Sequence, residues 1–175
     1  RFRSVVHDLT GYEHIIPTHQ GRAAEKILFT EAVRPGQVVP NNTHFDTTRA
    51  NVEHRDAQAV DLLCPEGRDL TVPAPFKGNV DVVALEALLR ADADQVALVM
   101  VTITNNSGGG QPVSMANLRA VREVCDRYGK ALFLDACRFA ENAWFVGQRE
   151  EGYGGRTPRQ IAEEAFRLAV GCTIS

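Results

Sequence analysis

The sequence lacks closely spaced cysteines of the kind that metal and redox sites require. Cys64, Cys125, Cys137 and Cys172 stand far apart, and none forms a C-x-x-C pair. The sequence therefore gives no sign of a zinc ribbon or a dithiol redox centre. We expect reduced, mostly buried thiols in a cytoplasmic protein, and no metal site built from these residues.

Clusters of basic residues and long apolar runs are also missing. The formal net charge is -3, from 19 Lys and Arg against 22 Asp and Glu. Nucleic acids and anionic membranes both require a concentrated positive face, and a membrane span requires about 18 consecutive apolar residues. We therefore expect neither partner, which leaves a small molecule as the better candidate.

The glycine run Gly108–Gly110 lacks the residues that would make it a nucleotide-binding loop. No Gly-Lys-Ser/Thr follows it, and its spacing is not G-x-G-x-x-G. Interpretations based on nucleotide binding therefore lose their main support.

Apolar runs alternate with helical patterns from about residue 38 to the end of the chain. Three helices are predicted to begin near Asp81, Ser114 and Thr157, the last with a capping box and a proline at its first position. The length of the chain fits one domain. The alternation predicts an α/β fold with a mostly parallel sheet. The predicted strands are Val38–Pro40, Ala59–Cys64, Val96–Ile103 and Ala131–Leu134.

Polar residues follow two of these strands. Asn105 and Asn106 come after one, and Asp135 comes directly after the other. Open α/β sheets bind ligands outside the carboxyl ends of their strands, so these residues are candidates for a binding site. A carboxylate at such a position is also a common helix or turn cap, and for an isolated Asp that structural role is the better explanation.

A second candidate is the segment Pro17–Glu25, which runs from a proline turn into a helical pattern. It places the Gly21 amide and the Arg22 guanidinium near a helix N-terminus, where free N–H groups and the helix dipole favour an anion such as phosphate. The signal is weak alone, because most such helix starts bind nothing. Phe45 is similarly ambiguous, since it fits an ordinary core aromatic.

Together these segments resemble the β-eliminating lyases of aromatic amino acids, the pyridoxal-phosphate family of tryptophanases and tyrosine phenol-lyases. The resemblance covers nearly the whole chain and is most specific at residues 107–117 and 135–145. It implies an aspartate-aminotransferase-like large domain, a three-layer sandwich of helices around the sheet. Residues 1–175 are then the cofactor-binding domain of a longer, two-domain subunit.

The resemblance also implies roles for individual residues. Asp135 matches the partner of the pyridine nitrogen, whose protonation lets the ring accept electrons, and Phe45 matches the aromatic ring stacked on the pyridine. Asn106 and Arg138 match the groups that contact the phenolic oxygen of the cofactor. The residues that match its phosphate-binding groups are Gln20, Gly21, Arg22 and Ser175.

Within the family, the segments Phe45–Thr48 and Arg138–Phe145 look like those of tryptophanases. Asp46 stands where tyrosine phenol-lyases have a threonine that faces the phenol, and a carboxylate there is suited to accept the indole N–H. The alternative is that Asp46 only caps a turn. The resemblance thus implies cleavage of L-tryptophan to indole, pyruvate and ammonia, with tyrosine phenol-lyase as the close rival.

One expected residue is absent. Lys26, Lys77 and Lys130 are the only lysines, and none lies in the motif of the Schiff-base lysine, which we expect a few residues beyond Ser175. We therefore expect residues 1–175 alone to be inactive, and a non-catalytic fragment is a rival interpretation. For the full-length protein, the family implies a homotetramer that requires a monovalent cation such as K⁺.

Overall fold

Eight helices and five strands make up the chain, and the computed structural model describes residues 1–175. The strands are β1 Val38–Asn41, β2 Gln58–Asp61, β3 Val99–Thr102, β4 Leu132–Asp135 and β5 Gly171–Thr173. The helices are α1 Phe2–Thr10, α2 Gly21–Ala32, α3 Asp46–Glu53, α4 Pro65–Arg68, α5 Val82–Asp92, α6 Met115–Arg127, α7 Phe139–Arg149 and α8 Pro158–Leu168. No helix combines the length and the apolarity needed to cross a membrane.

All of the strand pairs are parallel. β1 pairs with β2, and β3, β4 and β5 pair in that order. An isolated bridge between Val38 and Val96 joins the two groups. Nearer the carboxyl ends of the strands, the Asn42 side chain makes the hydrogen bonds that a strand backbone would otherwise make to β3. Its Nδ2 donates to the Thr102 carbonyl at 2.9 Å, and its Oδ1 accepts from the Thr102 N–H at 3.0 Å. The strand order is therefore β2-β1-β3-β4-β5.

The sheet has an apolar core on each face, as a three-layer α/β sandwich requires. Val99 and Val101 of β3 face the larger core, together with Leu85 of α5, Leu118 of α6 and Phe166 of α8. The alternate residues Leu98 and Met100 face the smaller core, together with Phe29 of α2 and Val52 of α3. This alternation follows from the two-residue period of a strand, and it confirms the predicted three-layer α/β sandwich with a parallel sheet.

The predicted helix starts are confirmed. Asp81 accepts from the Ala84 N–H, Ser114 accepts from the Asn117 N–H, and Thr157 and Gln160 form the capping box. These caps satisfy backbone N–H groups that have no partner inside the helix.

The predicted strand limits differ from the observed ones for local reasons. Residues 96–97 pair with β1 rather than with β4, since the Val38 N–H donates to the Gln95 carbonyl and the Ala97 N–H donates to the Val38 carbonyl. The ladder between β3 and β4 therefore begins at Val99. β2 ends at Asp61, after which Leu63 forms an antiparallel bridge with Val80.

Candidate active site

A cavity of about 570 Å³ opens at the carboxyl ends of β4 and β5, between the first turns of α2 and α7. Eight of the nine predicted site residues line it: Gln20, Gly21, Arg22, Phe45, Asn106, Asp135, Arg138 and Ser175. These residues come from five separate segments of the chain. The fold therefore brings together residues that are up to 155 positions apart, from Gln20 to Ser175.

The anion-binding candidate lies at the exposed rim of the cavity. Gln20 precedes α2 in an extended conformation and makes no side-chain cap, and the first turn of α2 holds no acidic residue. The N–H groups of Gly21 and Arg22 are thus free for a ligand. A Cβ atom on Gly21 would lie 2.6 Å from the Ser175 Cβ, so only glycine allows the helix start to approach Ser175 this closely.

Asp135 lies at the buried side of the cavity and is 7% exposed. It is the last residue of β4 and is in register with Thr102 on one side and Thr173 on the other. Burial raises the pKa of Asp135, the nearby carboxylate of Glu25 raises it further, and hydrogen bonds from Cys137 offset part of the rise. A cationic nitrogen placed in the cavity would supply the charge partner that this carboxylate lacks.

Asn106 and Arg138 meet across the cavity, where the Arg138 Nη1 donates to the Asn106 Oδ1. The glycine run makes this meeting possible. Gly109 and Gly110 adopt positive φ angles of 80° and 75°, which side-chain-bearing residues rarely accept. The resulting turn closes when the Gly108 N–H donates to the Asn105 Oδ1 at 2.9 Å. The glycines therefore shape the loop that presents Asn106, and Asn105 is a structural residue of the same loop.

The turn that carries Phe45 is anchored from β2. The His44 N–H donates to the Asp61 Oδ1 at 2.9 Å, and the His44 Nδ1 lies 2.7 Å from the same oxygen. Arg49 in turn donates to the Asp61 Oδ2 at 2.6 Å. Burial lowers the pKa of His44, and the bond to Asp61 opposes that change. These contacts hold the Phe45 side chain, which is 37% exposed, at the cavity wall.

Asp46 is the ninth predicted residue, and it does not line the cavity. It is exposed at the first position of α3, where its Oδ1 accepts from the Thr47 N–H at 2.7 Å. The N-cap residue of α3 is Phe45, and the helix has no side-chain cap, so the alternative that Asp46 only caps a turn stays open. A substrate contact by Asp46 stays a prediction.

Six further residues line the cavity that the sequence did not single out: Glu25, Thr47, Cys137, Glu141, Thr173 and Ile174. A signal for Glu25 was available, because it is one turn from Phe29 on the buried stripe of α2, where an acid is out of place. Thr173 could not be found in this way, because β5 is only three residues long. The Thr173 Oγ1 is buried and has no hydrogen-bond partner.

The donor set fits a phosphorylated, planar ring with a basic nitrogen. The helix start and Arg22 suit a phosphate, Asp135 suits a protonated nitrogen, and the Phe45 ring offers an aromatic face. The unpartnered Thr173 hydroxyl provides a further group for hydrogen bonding. No lysine lines the cavity; Lys77, for example, donates to the Asp69 and Val72 carbonyls.

Sequence comparison relates the whole chain to one enzyme family. The family described as beta-eliminating lyase matches residues 1–175. A tryptophanase of Salinibacter ruber is 55% identical over 175 residues, which are 100% of this chain and 37% of the relative. A tyrosine phenol-lyase of Symbiobacterium thermophilum is 44% identical over 176 residues, which are 100% of this chain and 38% of the relative. The chain thus spans less than two fifths of the length of either relative.

Solved structures share the fold at low sequence identity. An N-succinyldiaminopimelate aminotransferase from Mycobacterium tuberculosis superposes with a TM-score of 0.61 at 16% identity, over 79% of this chain and 35% of that one. Cystalysin from Treponema denticola, which contains pyridoxal 5'-phosphate, superposes with a TM-score of 0.59 at 15% identity, over 79% and 34%. At these identities the likeness concerns the fold, and it confirms the predicted aspartate-aminotransferase-like fold class.

Proposed function

The chain belongs to the beta-eliminating lyase family, and we propose that the full-length protein uses pyridoxal phosphate to cleave L-tryptophan to indole, pyruvate and ammonia. The bond broken is the one between Cβ and the indole carbon. The substrate Cα gives up its proton, the indole carbon takes up a proton as it leaves, and water hydrolyses the remaining three-carbon enamine to pyruvate and ammonia. When bound, the cofactor supplies a ring that accepts the electron pair released at Cα.

One observation carries the proposal: a single cavity gathers residues suited to the phosphate, the ring nitrogen, the phenolic oxygen and the ring face of this cofactor, in a chain 55% identical to a tryptophanase. Gly21, Arg22 and Ser175 would hold the phosphate at the exposed rim. Asp135 would keep the proton on the ring nitrogen at the buried side. Asn106 and Arg138 would donate to the phenolic oxygen, while Phe45 would cover one face of the ring.

The placement of Asp135 serves this role because its carboxylate is costly to ionise when the cavity holds no cation. A buried carboxylate and a buried pyridinium stabilise each other strongly, since little water screens them. Arg22 and Arg138 bring positive charge to the same cavity and favour an anionic ligand there.

The choice of tryptophan depends on Asp46, whose carboxylate would accept the indole N–H. Tyrosine is the rival substrate, because tyrosine phenol-lyases are also relatives of the chain. The test is an assay of the full-length protein with tryptophan, tyrosine and S-alkyl cysteines. Indole release at a kcat/KM well above that for phenol release supports the proposal, whereas a preference for tyrosine selects the rival.

For residues 1–175 alone we propose no turnover, because none of the three lysines lies at the cavity. The isolated chain would bind pyridoxal phosphate weakly at most, in a site open to water. Mass spectrometry after borohydride reduction should show only scattered labelling. A single stoichiometric adduct on Lys26, Lys77 or Lys130 would contradict this, and no binding at all would favour a fragment without a role in catalysis.

The assembly proposed for the full-length protein is a cytoplasmic homotetramer that requires a monovalent cation such as K⁺. It follows from the family resemblance. Sedimentation velocity of the full-length protein, and assays in K⁺ against a bulky organic cation, test the two parts separately.

A further inference from the structure

Glu25 is a buried carboxylate without a cation partner. It is 7% exposed, and no Lys or Arg side chain forms an ion pair with it. Its side-chain hydrogen bonds are all with α3: the Thr47 Oγ1 donates to Oε2 at 2.9 Å, the Thr48 Oγ1 donates to Oε1, and the Asn51 Nδ2 lies 3.5 Å from Oε2. Burying a carboxylate costs free energy unless hydrogen-bond donors compensate it. An apolar residue at position 25 would avoid that cost.

The position of Glu25 links two parts of the candidate site. It lies one turn into α2, after the Gln20–Arg22 segment that offers N–H groups to an anion. Its partners Thr47 and Thr48 lie in the first turn of α3, directly after Phe45. The carboxylate thus fixes the anion-binding turn relative to the aromatic wall, although these are separated by more than 20 residues of sequence.

Glu25 also contributes charge to the cavity that Asp135 lines. Thr47 is the residue of α3 that lines the cavity, and it is uncharged. α3 therefore provides hydrogen-bond donors to Glu25 but no cation that would compensate its charge. The other titratable and charged groups that line the cavity are Arg22 on α2, Asp135 on β4, Cys137 after β4, and Arg138 and Glu141 at α7. Cys172 on β5 lies outside the lining, and burial together with the charge of Asp135 raises the pKa of its thiol.

We propose that Glu25 is a positioning residue of the cofactor site, which locks the anion-binding turn onto α3 and places a second negative charge beside Asp135. The inference depends on the proposed function, because it concerns how the same site holds pyridoxal phosphate. It adds a residue to that site on the basis of its contacts in this structure.

Two effects follow from the position and charge of Glu25. A negative charge in a poorly solvated cavity favours the protonated form of any nitrogen bound there, so its removal lowers the pH at which the bound cofactor loses a proton. The contacts with Thr47 and Thr48 hold the cavity walls in place, so the loss of one of these contacts weakens cofactor binding without removing the charge.

The test uses the full-length protein with Glu25→Gln, and Glu31→Gln as the matched control on the exposed face of the same helix. The measurement is the pH midpoint of the visible absorbance of bound pyridoxal phosphate. We expect E25Q to lower the midpoint by about 0.5–1 pH unit and E31Q to leave it unchanged. A midpoint in E25Q equal to that of the wild type overturns the charge role.

Thr48→Val tests the positioning role and remains decisive if E25Q does not fold. Valine keeps the shape of threonine but removes the hydroxyl that donates to Glu25. We expect a several-fold higher dissociation constant for pyridoxal phosphate, measured by fluorescence, with a smaller change of midpoint than in E25Q. Unchanged affinity overturns the positioning role. Failure of the wild type to bind pyridoxal phosphate would instead overturn the proposed function.

Discussion

The apolar core beneath the helices and the region at the carboxyl ends of the strands, here the carboxyl edge, differ in how they bury polar groups. Beneath α5, α6 and α8 the core is almost wholly aliphatic and aromatic, built from residues such as Leu85, Leu118 and Phe166. At the carboxyl ends of the strands, the buried residues include Asn41, Asn42, His44, Thr102, Asn105 and Asp135. Three of the four buried polar atoms without a partner also lie in this second region: His44 Nε2, Asn105 Nδ2 and Thr173 Oγ1.

Two glutamates, Glu164 and Glu25, show the same contrast in the partners of their carboxylates. Glu164 of α8 pairs with Arg119 and Arg156 and accepts from the Tyr153 hydroxyl at 3.0 Å, which makes it a cross-link between helices. Glu25 has only neutral donors. The apolar core and the Glu164 cluster find their partners within the chain. The carboxyl edge, in contrast, has charges and hydrogen-bond donors that a ligand would partner. Functional sites commonly sacrifice stability in this way.

The largest expected effect of a change at the carboxyl edge is that of Asp135→Asn in the full-length protein. The variant removes the charge that would keep the cofactor nitrogen protonated, so we expect the rate of elimination to fall by about a thousandfold or more, equivalent to roughly 4 kcal/mol of barrier. Steady-state indole release measures the loss, and circular dichroism checks that the fold is intact. Turnover near that of the wild type would refute the role of Asp135.

The matching change in the apolar core is Leu118→Ala. Leu118 is fully buried in α6, and removal of its side chain should lower the free energy of unfolding by about 2–5 kcal/mol, while kcat of the folded enzyme changes little. Urea unfolding of the full-length protein measures this. Leu70→Ala is the control, since Leu70 is 93% exposed and its loss should have almost no effect. A large loss of kcat in Leu118→Ala without a loss of stability would contradict the distinction between a structural core and a functional carboxyl edge.

The apolar half of the fold could be predicted from local sequence, and the carboxyl edge only in part. Caps such as Ser114 and Thr157 act within one helical turn, so their residues suffice to identify them. α3 escaped prediction because its sequence, DTTRANVE, is mostly polar, and it is held by contacts with α2 that form only in the fold. β5 has three residues and no apolar run, and it forms by pairing with β4.

The candidate site shows the same limit. Asp135 and Asn106 are predicted because strand ends are a general location for ligands, and Gly21 and Arg22 because a helix N-terminus favours an anion. The other predicted residues depend on the family resemblance. Glu25 was missed because its importance depends on Thr47 and Thr48, which are more than 20 residues away in sequence. A long-range contact of this kind leaves no local pattern apart from an acid on an apolar stripe.

A smaller effect is expected for Asp46→Thr, which tests whether the site extends beyond the cavity wall to the exposed start of α3. If Asp46 accepts the indole N–H, the loss of a hydrogen bond to a charged group should cost about 1.5–3 kcal/mol, or roughly ten- to a hundredfold in kcat/KM for tryptophan. Small S-alkyl cysteines, which lack that N–H, serve as the internal control and should be affected much less. Equal losses for both substrates would assign Asp46 a structural role only.

The smallest effect concerns the stability of the enzyme without cofactor. Because the folded-state pKa of Asp135 is raised, mainly by burial and also by Glu25, the folded protein holds this proton more tightly than the unfolded chain does. The unfolded chain therefore releases more protons once the pH exceeds the ordinary value of 3.8, and this group makes folding less favourable as pH rises through its raised pKa. Stability is highest, as far as Asp135 is concerned, at low pH.

Asparagine does not titrate, so Asp135→Asn should remove this penalty. We expect the cofactor-free variant to have a higher Tm than the cofactor-free wild type at pH 7, and the difference should shrink as the pH falls toward 4. Comparing the two proteins at each pH cancels the titration of groups that they share. Added pyridoxal phosphate should reverse the order at pH 7, because it stabilises the protein in which Asp135 can pair with it. A variant that is less stable than the wild type at pH 7, or a difference independent of pH, would show that the Asp135 carboxylate stabilises the empty fold, and the contrast between the two regions would then lose its energetic basis.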